Sequence, residues 1–210
     1  MREVEANAAW PADDDVDVAI EGVETAYRGF LSVEHYTLRV PRFDGSVATV
    51  KRELLERSTA VCILPYDPRS DRVLLIRQFL IGSYAAGRAP RPLQVVAGMV
   101  DAGEDDEAAA RREAMEEAAC KVGRVIRAHA FLPSPGGSSE RVVAFCGEAN
   151  LAQAGGVHGA PDEDEDIRVE VFDAAAAIAL LDEGRIESAP AVIILSWFAR
   201  HHERLRMEWS

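Results

Sequence analysis

Hydrophobic and polar residues alternate in short stretches over the first quarter of the chain, and this pattern predicts β-strands. The stretches are 16–23, 34–42 and 46–55, and a period of two residues is typical of strands with one covered face. Phe43-Asp44-Gly45 separates the last two stretches, and Asp-Gly is a strong hairpin signal. We therefore expect a β-rich region over residues 17–56, preceded by a flexible acidic tail over residues 1–16.

Longer apolar runs follow and predict a central sheet. Two runs, 59–66 and 72–81, flank the turn Asp67-Pro68-Arg69-Ser70 and are typical of buried strands. Further strands are predicted at 93–97, 124–132, 140–147 and 167–172, and helices at 173–184 and 189–204. The pattern indicates an α+β fold in which residues 57–210 form a mixed sheet flanked by helices. His201 and His202 have charged neighbours in the last helix, so we expect them at the surface rather than as metal ligands.

Composition and charge narrow the function classes. The chain is 48% hydrophobic and 28% charged, which is ordinary for a globular protein. Its formal charge of −13 argues against binding to a nucleic-acid backbone, and its apolar runs are shorter than a membrane span. Cys62, Cys120 and Cys146 are odd in number and widely spaced. We therefore expect them to be small buried residues in a reducing cytoplasm.

A group of glutamates carries the candidate chemistry. Glu113, Glu116 and Glu117 have the spacing i, i+3 and i+4, which places them on one face of a helix. Carboxylates this close raise one another's pKa unless a cation neutralises them, and hard oxygen ligands suit magnesium or manganese. Taken alone, the three glutamates fit a solvated helix face better than a metal site. Their spacing from Gly98, Glu104 and Arg112 favours a metal site, and magnesium commonly acts together with substrate phosphates.

The segment from Gly98 to Glu117 resembles the Nudix box: glycine, five residues, glutamate, seven residues, then Arg-Glu-hydrophobic-x-Glu-Glu. The resemblance implies a Nudix-type α/β/α sandwich and a hydrolase of nucleoside diphosphate derivatives. It also implies that Mg²⁺, or Mn²⁺ in its place, is bound by Glu113 and Glu117 with help from Glu116 and the backbone carbonyl of Ala97. Gly98, Glu104 and Arg112 are then structural, with Arg112 paired to Glu104 to hold the loop against the helix.

One position departs from the box. The box usually has glycine where this chain has Ala119, and a left-handed alanine costs roughly 1–2 kcal/mol. We therefore expect the helix to continue past this position and to end nearer Gly123.

Beyond the box, the chain resembles the bacterial ADP-ribose pyrophosphatases over roughly residues 18–207. The segments that carry this likeness are Tyr27-Arg28-Gly29-Phe30, Val50-Lys51-Arg52-Glu53, Val96-Ala97-Gly98-Met99-Val100, Ser134-Pro135-Gly136-Gly137-Ser138-Ser139-Glu140, His158-Gly159 and Asp164-Glu165-Asp166-Ile167. The resemblance implies hydrolysis of ADP-ribose to AMP and ribose 5-phosphate in the cytoplasm. Hydrolysis of another nucleoside diphosphate sugar such as GDP-mannose is the nearest alternative. A non-catalytic nucleotide-sugar sensor is a further one, although such a domain would be expected to have lost box glutamates.

The same resemblance implies roles outside the box. The catalytic glutamate would lie in the long acidic loop over residues 148–166, at Glu163 by register with Glu165 second, whereas a solvated acidic turn is the ordinary alternative. Phe30 would stack on the base and Arg52 and Glu53 would hydrogen-bond its edge, across a homodimer with swapped N-terminal regions. The alternatives are a core position for Phe30 and exposed strand positions for the other two. Further substrate contacts are expected from Met99, Ser134, Gly136 and Glu140.

A second departure concerns the substrate. In relatives the segment around Gln78-Phe79 usually continues with an arginine that reaches the substrate, and here that position is Leu80. On a continuous strand Arg77 would point to the opposite face, so it is not a simple substitute. Either another arginine compensates, with Arg88, Arg91 and Arg141 as candidates, or the preferred substrate differs.

Overall fold

The computed structural model describes residues 17–159 and 164–210, and the chain divides into two compact units. The first unit comprises residues up to Glu56 together with Gly136–Ser138, and the second comprises Arg57–Pro135 and Ser139–Ser210. The flexible tail expected over residues 1–16 lies outside the described residues.

The first unit is a three-stranded antiparallel sheet in the order β1-β2-β3. Its strands are β1 (Ala19–Arg28), β2 (Ser32–Pro41) and β3 (Val47–Glu56). The predicted hairpin joins β2 to β3: Gly45 has a φ of 83°, and the Ser46 amide donates to Asp44 Oδ1 at 2.9 Å. None of residues 17–56 is buried, although this region includes apolar side chains such as Ile20 and Tyr27. This sheet therefore has no closed hydrophobic core.

The second unit is built on a mixed eight-stranded sheet. Its main path runs β10-β11-β5-β4-β9-β8, with β6 paired to β5 and β7 paired to β4. β4 and β9 are parallel, and the remaining pairs are antiparallel. The strands are β4 (Ala60–Asp67), β5 (Arg72–Arg77), β6 (Leu93–Gln94), β7 (Val96–Met99), β8 (Val122–Phe131), β9 (Val142–Ala149), β10 (Gly156–His158) and β11 (Ile167–Asp173).

Helices cover both faces of this sheet. They are α1 (Ile81–Ala85), α2 (Asp106–Ala118), α3 (Ala174–Asp182) and α4 (Ala189–Trp209). Buried residues of α2 form one core with strand residues such as Ile63 and Ile76, and α3 and α4 form a second core with residues such as Leu64 and Leu75. The predicted α/β/α sandwich with a mixed sheet is therefore confirmed. The three cysteines are buried, as expected. In the described residues, no helix is long and apolar enough to cross a membrane.

The strand predicted over 72–81 is wrong at its carboxyl end. β5 stops at Arg77, and Leu80 precedes the short helix α1, whose residue Tyr84 donates its amide to the Leu80 carbonyl at 3.1 Å. The Leu80 amide donates to the Pro90 carbonyl at 3.0 Å. Because Leu80 is not on the strand, the alternation of strand faces does not determine where Leu80 points relative to Arg77.

The end of α2 also differs from the prediction. The helix ends at Ala118, and Ala119 takes the left-handed conformation with φ 47° and ψ 33°. The Ala119 amide donates to the Met115 carbonyl and the Cys120 amide to the Ala114 carbonyl, each at 2.9 Å. Cys120 and Val122 are then buried in the α2 core. Burial of the following residues and these capping bonds therefore offset the cost of a left-handed alanine.

Ala119→Gly is expected to stabilise the protein by about 0.5–1 kcal/mol, because glycine adopts a positive φ without strain while losing more chain entropy on folding. The free energy of unfolding from urea denaturation checks this expectation. Ala108→Gly, at an exposed position within the same helix, is the control and should destabilise by about 0.5–1 kcal/mol. Destabilisation by Ala119→Gly would contradict the strained-cap account.

A polar cluster centred on Asp71 joins the β4–β5 turn to α4. His202 Nε2 lies 2.5 Å from Asp71 Oδ1, the Tyr66 hydroxyl donates to the same oxygen at 2.9 Å, and Arg206 is 3.1 Å from Oδ2. His201 and His202 are both half-buried rather than at the surface as expected. The His202 ring packs against Tyr66 and Phe198, and the His201 ring stacks on Trp197. Burial alone raises the pKa of Asp71, but the hydrogen bonds from His202 and Tyr66 and the charge of Arg206 outweigh it and lower that pKa below its usual value.

Asp71→Asn is expected to destabilise the protein by about 1–3 kcal/mol at pH 7, because the amide loses charge-assisted bonds. Asparagine tolerates the positive φ of 56° at this position. A carboxyl whose pKa is lowered by folding stabilises above its unfolded pKa of about 4, and this contribution is lost as pH falls through the folded value. The stability difference should therefore shrink towards pH 3 in thermal unfolding. The control Asp173→Asn removes an exposed pair to Arg72 and should change stability by less than about 0.5 kcal/mol. A pH-independent difference would contradict the assignment.

Candidate active site

The helix α2 places Glu113 and Glu117 against β7. Asp105 begins the helix, and its side chain accepts hydrogen bonds from the amides of Glu107 and Ala108. Gly98 on β7 lies directly against the Glu113 carboxyl group, so that a β-carbon at this position would collide with that carboxyl group. A side chain at this position would therefore force the Glu113 carboxyl group to move.

Glu117 is buried at the base of this site, with 2% of its surface exposed. Its Oε2 accepts from the Ala97 amide at 3.0 Å, and its Oε1 accepts from the Gln78 side chain at 3.4 Å. Burial raises the pKa of Glu117 to about 8, aided by the charges of Glu113 and Glu165 and opposed by the hydrogen bonds from Ala97 and Gln78. The sequence alone did not single out Gln78 for the site; its signal is a polar residue directly after a buried strand.

Arg112 connects the loop after β7 to the helix. It donates to both carboxylate oxygens of Glu104 at 3.0 Å and to the Met99 carbonyl at 3.0 Å, so the expected Arg112–Glu104 pair is present. It also donates to Glu113 at 2.8 Å and Glu116 at 2.9 Å. Burial raises the pKa of Glu113, while its contacts with Arg112 act in the opposite direction.

The residues present fit a hard divalent cation by their donor chemistry. Within the described residues, no three His, Cys, Asp or Glu side chains are gathered to enclose a metal ion. Glu113 and Glu116 each accept a hydrogen bond from Arg112 instead. Glu117, by contrast, is a buried carboxyl group whose described hydrogen bonds come from neutral donors only. A cation beside Glu117 would stabilise the charged carboxylate and so lower the pKa that burial raises. The role expected for the Ala97 carbonyl stays a prediction, since the observed contact is through the amide.

The acidic loop brings a fourth carboxylate to the site. Glu165 is half-buried, and its charge raises the pKa of both Glu113 and Glu117. Gly159 has a φ of 114°, and a β-carbon there would lie 2.7 Å from the β-carbon of Glu165. Gly159 and Glu165, which belong to the two described parts of this loop, therefore lie in close contact. Glu163 lies outside the described residues.

In the first unit, the residues expected to bind the base are exposed. Phe30 is 92% exposed, so the alternative that it is a core residue is wrong. Arg52 and Glu53 are exposed on β3, where Arg52 donates to the Lys51 carbonyl at 2.8 Å and Glu53 is 3.4 Å from His35. Gly136 also belongs to this unit and is exposed. Base binding by Phe30, Arg52 and Glu53 stays a prediction.

In the second unit, the other expected substrate contacts differ in their surroundings. The Met99 side chain is exposed at the end of β7, and Ser134 is exposed after β8. Glu140 is half-buried and lies 3.2 Å from Arg57. The Glu140 carboxylate therefore already has a cationic partner.

The three arginines considered as replacements for the one absent at Leu80 all pair with carboxylates. Arg88 pairs with Glu187, Arg91 Nη2 is 3.0 Å from Asp166 Oδ2, and Arg141 is 3.6 Å from Asp106. Arg77 donates to Glu170 at 3.0 Å and to the Arg91 carbonyl at 3.3 Å. Each of these arginines therefore already has a carboxylate partner.

Known proteins resemble this chain over most of its length. A profile described as the NUDIX domain matches residues 56–192. The chain is 45% identical to an ADP-ribose pyrophosphatase of Escherichia coli K12 over 92% of this chain and 93% of the relative. It is 37% identical to the ADP-ribose pyrophosphatase of Haemophilus influenzae, covering 92% and 91% respectively. A GDP-mannose pyrophosphatase of Escherichia coli is 30% identical over 82% of this chain and 90% of the relative. A solved structure of an ADP compounds hydrolase superposes with a TM-score of 0.68 and 22% identity over 91% of this chain and 95% of that chain, which supports the fold.

Proposed function

The chain belongs to the Nudix family, and from this premise we propose that it is a magnesium-dependent pyrophosphatase that cleaves ADP-ribose to AMP and ribose 5-phosphate. Its class, a Nudix pyrophosphatase, follows from the domain match and the relatives. One observation carries the choice of substrate. Identity to the ADP-ribose pyrophosphatase of Escherichia coli is 45% across nearly the whole chain, against 30% to a GDP-mannose pyrophosphatase.

The box residues would hold the metal. Glu113, Glu116 and Glu117 supply carboxylate oxygens, with the Ala97 carbonyl as a further ligand. Magnesium, when bound, supplies positive charge that offsets the diphosphate oxygens and strengthens water as a nucleophile. Arg112 keeps the loop and the helix together through Glu104 and Met99. It would release Glu113 and Glu116 when a stronger positive charge is available to them.

A carboxylate in the acidic loop would act as general base. It would accept the proton of the water that attacks phosphorus, at Glu163 by register or at Glu165. Support for Glu165 is electrostatic, since its charge raises the pKa of both Glu113 and Glu117. A base within reach of these two carboxylates is close to where the diphosphate would be bound.

The remaining roles complete the proposal. Phe30, Arg52 and Glu53 would bind the adenine base, while Met99, Ser134, Gly136 and Glu140 would contact the rest of the substrate. We place the enzyme in the cytoplasm as a homodimer in which the N-terminal sheets are exchanged. Support for the dimer is that none of residues 17–56 is buried while apolar side chains such as Ile20 and Tyr27 are exposed.

GDP-mannose is the second candidate substrate. Leu80 stands where relatives usually have an arginine, and the arginines nearest in sequence have carboxylate or carbonyl partners. Loss of a guanidinium from a diphosphate contact weakens it by roughly 1–3 kcal/mol. This is enough to change which nucleoside diphosphate sugar is preferred.

Product analysis tests the proposal. The purified chain is incubated with ADP-ribose, GDP-mannose, UDP-glucose and NADH, with and without magnesium, and the phosphate products are separated. The proposal expects rapid, magnesium-dependent release of AMP from ADP-ribose. Faster cleavage of GDP-mannose would keep the reaction and change the substrate. Nucleotide-sugar binding without cleavage of any compound would contradict the enzymatic proposal and favour a sensor.

A further inference from the structure

A small cleft lies on the sheet face opposite α2. Its volume is about 80 Å³, and it is lined by Arg77, Arg91, Val157, Asp166 and Arg168. Ile76, Ile167 and Val169 point into the core formed with α2. Because side chains alternate along a strand, Arg77 and Arg168 point to the other face. The cleft is therefore separate from the carboxylates of α2.

Two arginines face each other in this cleft. Arg168 on β11 is directly paired in register with Arg77 on β5, and like charges at directly opposed positions destabilise a sheet. Arg77 is partly compensated by Glu170 at 3.0 Å, and Arg91 by Asp166 at 3.0 Å. The Arg168 side chain has neither a hydrogen bond nor an ion pair with any described residue, and it is exposed.

The charge of the cleft is opposite to that of the chain. Three guanidinium groups meet two carboxylates, which leaves one positive charge in excess, whereas the whole chain carries −13. Each guanidinium has five N–H donors. Arg77 and Arg91 use only some of theirs in the bonds described, and Arg168 uses none. Three arginines with unused donors therefore line the cleft.

We propose that this cleft is a second binding site, specific for a phosphoryl dianion, either orthophosphate or the phosphate of a phosphomonoester. Arg168 supplies the free bidentate donor, and Arg77 and Arg91 supply the flanking contacts. The dianion neutralises the excess charge and removes the repulsion between Arg77 and Arg168. The site does not depend on the proposed function, since it contains none of the residues assigned to hydrolysis.

Phosphorus NMR titration of the metal-free protein at constant ionic strength tests the proposal, with a chelator present so that metal does not bring phosphate to α2. Orthophosphate and ribose 5-phosphate are the two probes. Arg168→Gln should weaken binding of orthophosphate at least about tenfold, the loss expected for one charge-assisted contact. The matched control is Arg127→Gln, which removes an exposed arginine from β8 at the other edge of the sheet and should leave binding unchanged. Binding of orthophosphate alone identifies the free ion as ligand, and binding of both probes identifies the phosphomonoester class.

Stability provides an independent readout. In phosphate-free buffer of low salt, Arg168→Gln should be at least as stable as the wild type, because it removes a like-charge pair. In phosphate the order should reverse, because only the wild type gains from binding. Equal phosphate affinity in wild type and Arg168→Gln, or no binding at all, would overturn the proposal. Absence of ADP-ribose hydrolysis with phosphate binding intact would instead overturn only the proposed function.

Discussion

Glu117→Gln is expected to lower kcat for ADP-ribose by at least about a hundredfold while leaving the protein folded. Replacing a residue that only orients a metal ligand typically lowers metal affinity or activity by about 10–100-fold. Glu117 is proposed as a ligand itself, so its loss should cost more. The side chain is buried against Ala97 and Gln78, so glutamine fits the same space. Steady-state kinetics over a range of magnesium concentrations measure the loss, which high magnesium should not restore.

The control for this prediction is Glu107→Gln on the same helix. Glu107 is exposed and pairs with Arg111, so its loss should leave kcat unchanged. Metal-free Glu117→Gln should also be at least as stable as the wild type in thermal unfolding. The reason is that burial raises the pKa of Glu117 to about 8, which means that the fold disfavours its charge, and an amide carries none. If the Glu117→Gln variant retained the wild-type kcat, Glu117 would not be a ligand of the metal.

Arg112→Lys is expected to destabilise the protein by roughly 2–3 kcal/mol and to reduce activity about tenfold or more. Removing one partner of a fully buried pair costs about 3–5 kcal/mol, and Arg112 is 29% exposed, so the loss is smaller. Lysine cannot form the paired bonds to Glu104 and simultaneously reach Met99, Glu113 and Glu116. Urea denaturation in metal-free buffer measures the stability, and kcat at saturating magnesium measures the activity.

Arg111→Lys provides the comparison. Arg111 also makes a two-bond contact, to Glu107, and one bond to the Val122 carbonyl, but it is more exposed at 37%. Arg111→Lys should lower the free energy of unfolding by no more than about 1 kcal/mol and should leave kcat unchanged. Similar losses in the two variants would mean that Arg112 has no special part in joining the loop to the helix.

The pattern of residues close together in the sequence was sufficient to predict much of the fold and the centre of the candidate site. The spacing of Glu113, Glu116 and Glu117 determines that they share a helix face, and the Asp-Gly turn determines the β2–β3 hairpin. These features depend on residues a few positions apart. The alternation of apolar residues likewise predicts most strands, because burial of one face acts along the whole strand.

Contacts between distant residues explain what the sequence did not reveal. The strand β5 ends early because Leu80 bonds to Pro90 and begins α1, although the apolar run continues to Ile81. The burial of Cys120 outweighs the helix-end preference of Ala119. His202 has charged neighbours in sequence, yet it reaches Asp71 from 131 positions away. No local pattern contains these partners.

The ratio of kcat/KM for ADP-ribose to that for GDP-mannose at saturating magnesium tests the central claim most directly. The account predicts a ratio of at least about ten, equivalent to about 1.4 kcal/mol of selective transition-state binding, with activity lost when magnesium is removed. A ratio at or below one would show that this protein, which has Leu80 where relatives usually have an arginine, does not prefer ADP-ribose. Undiminished activity without a divalent cation would contradict the metal site.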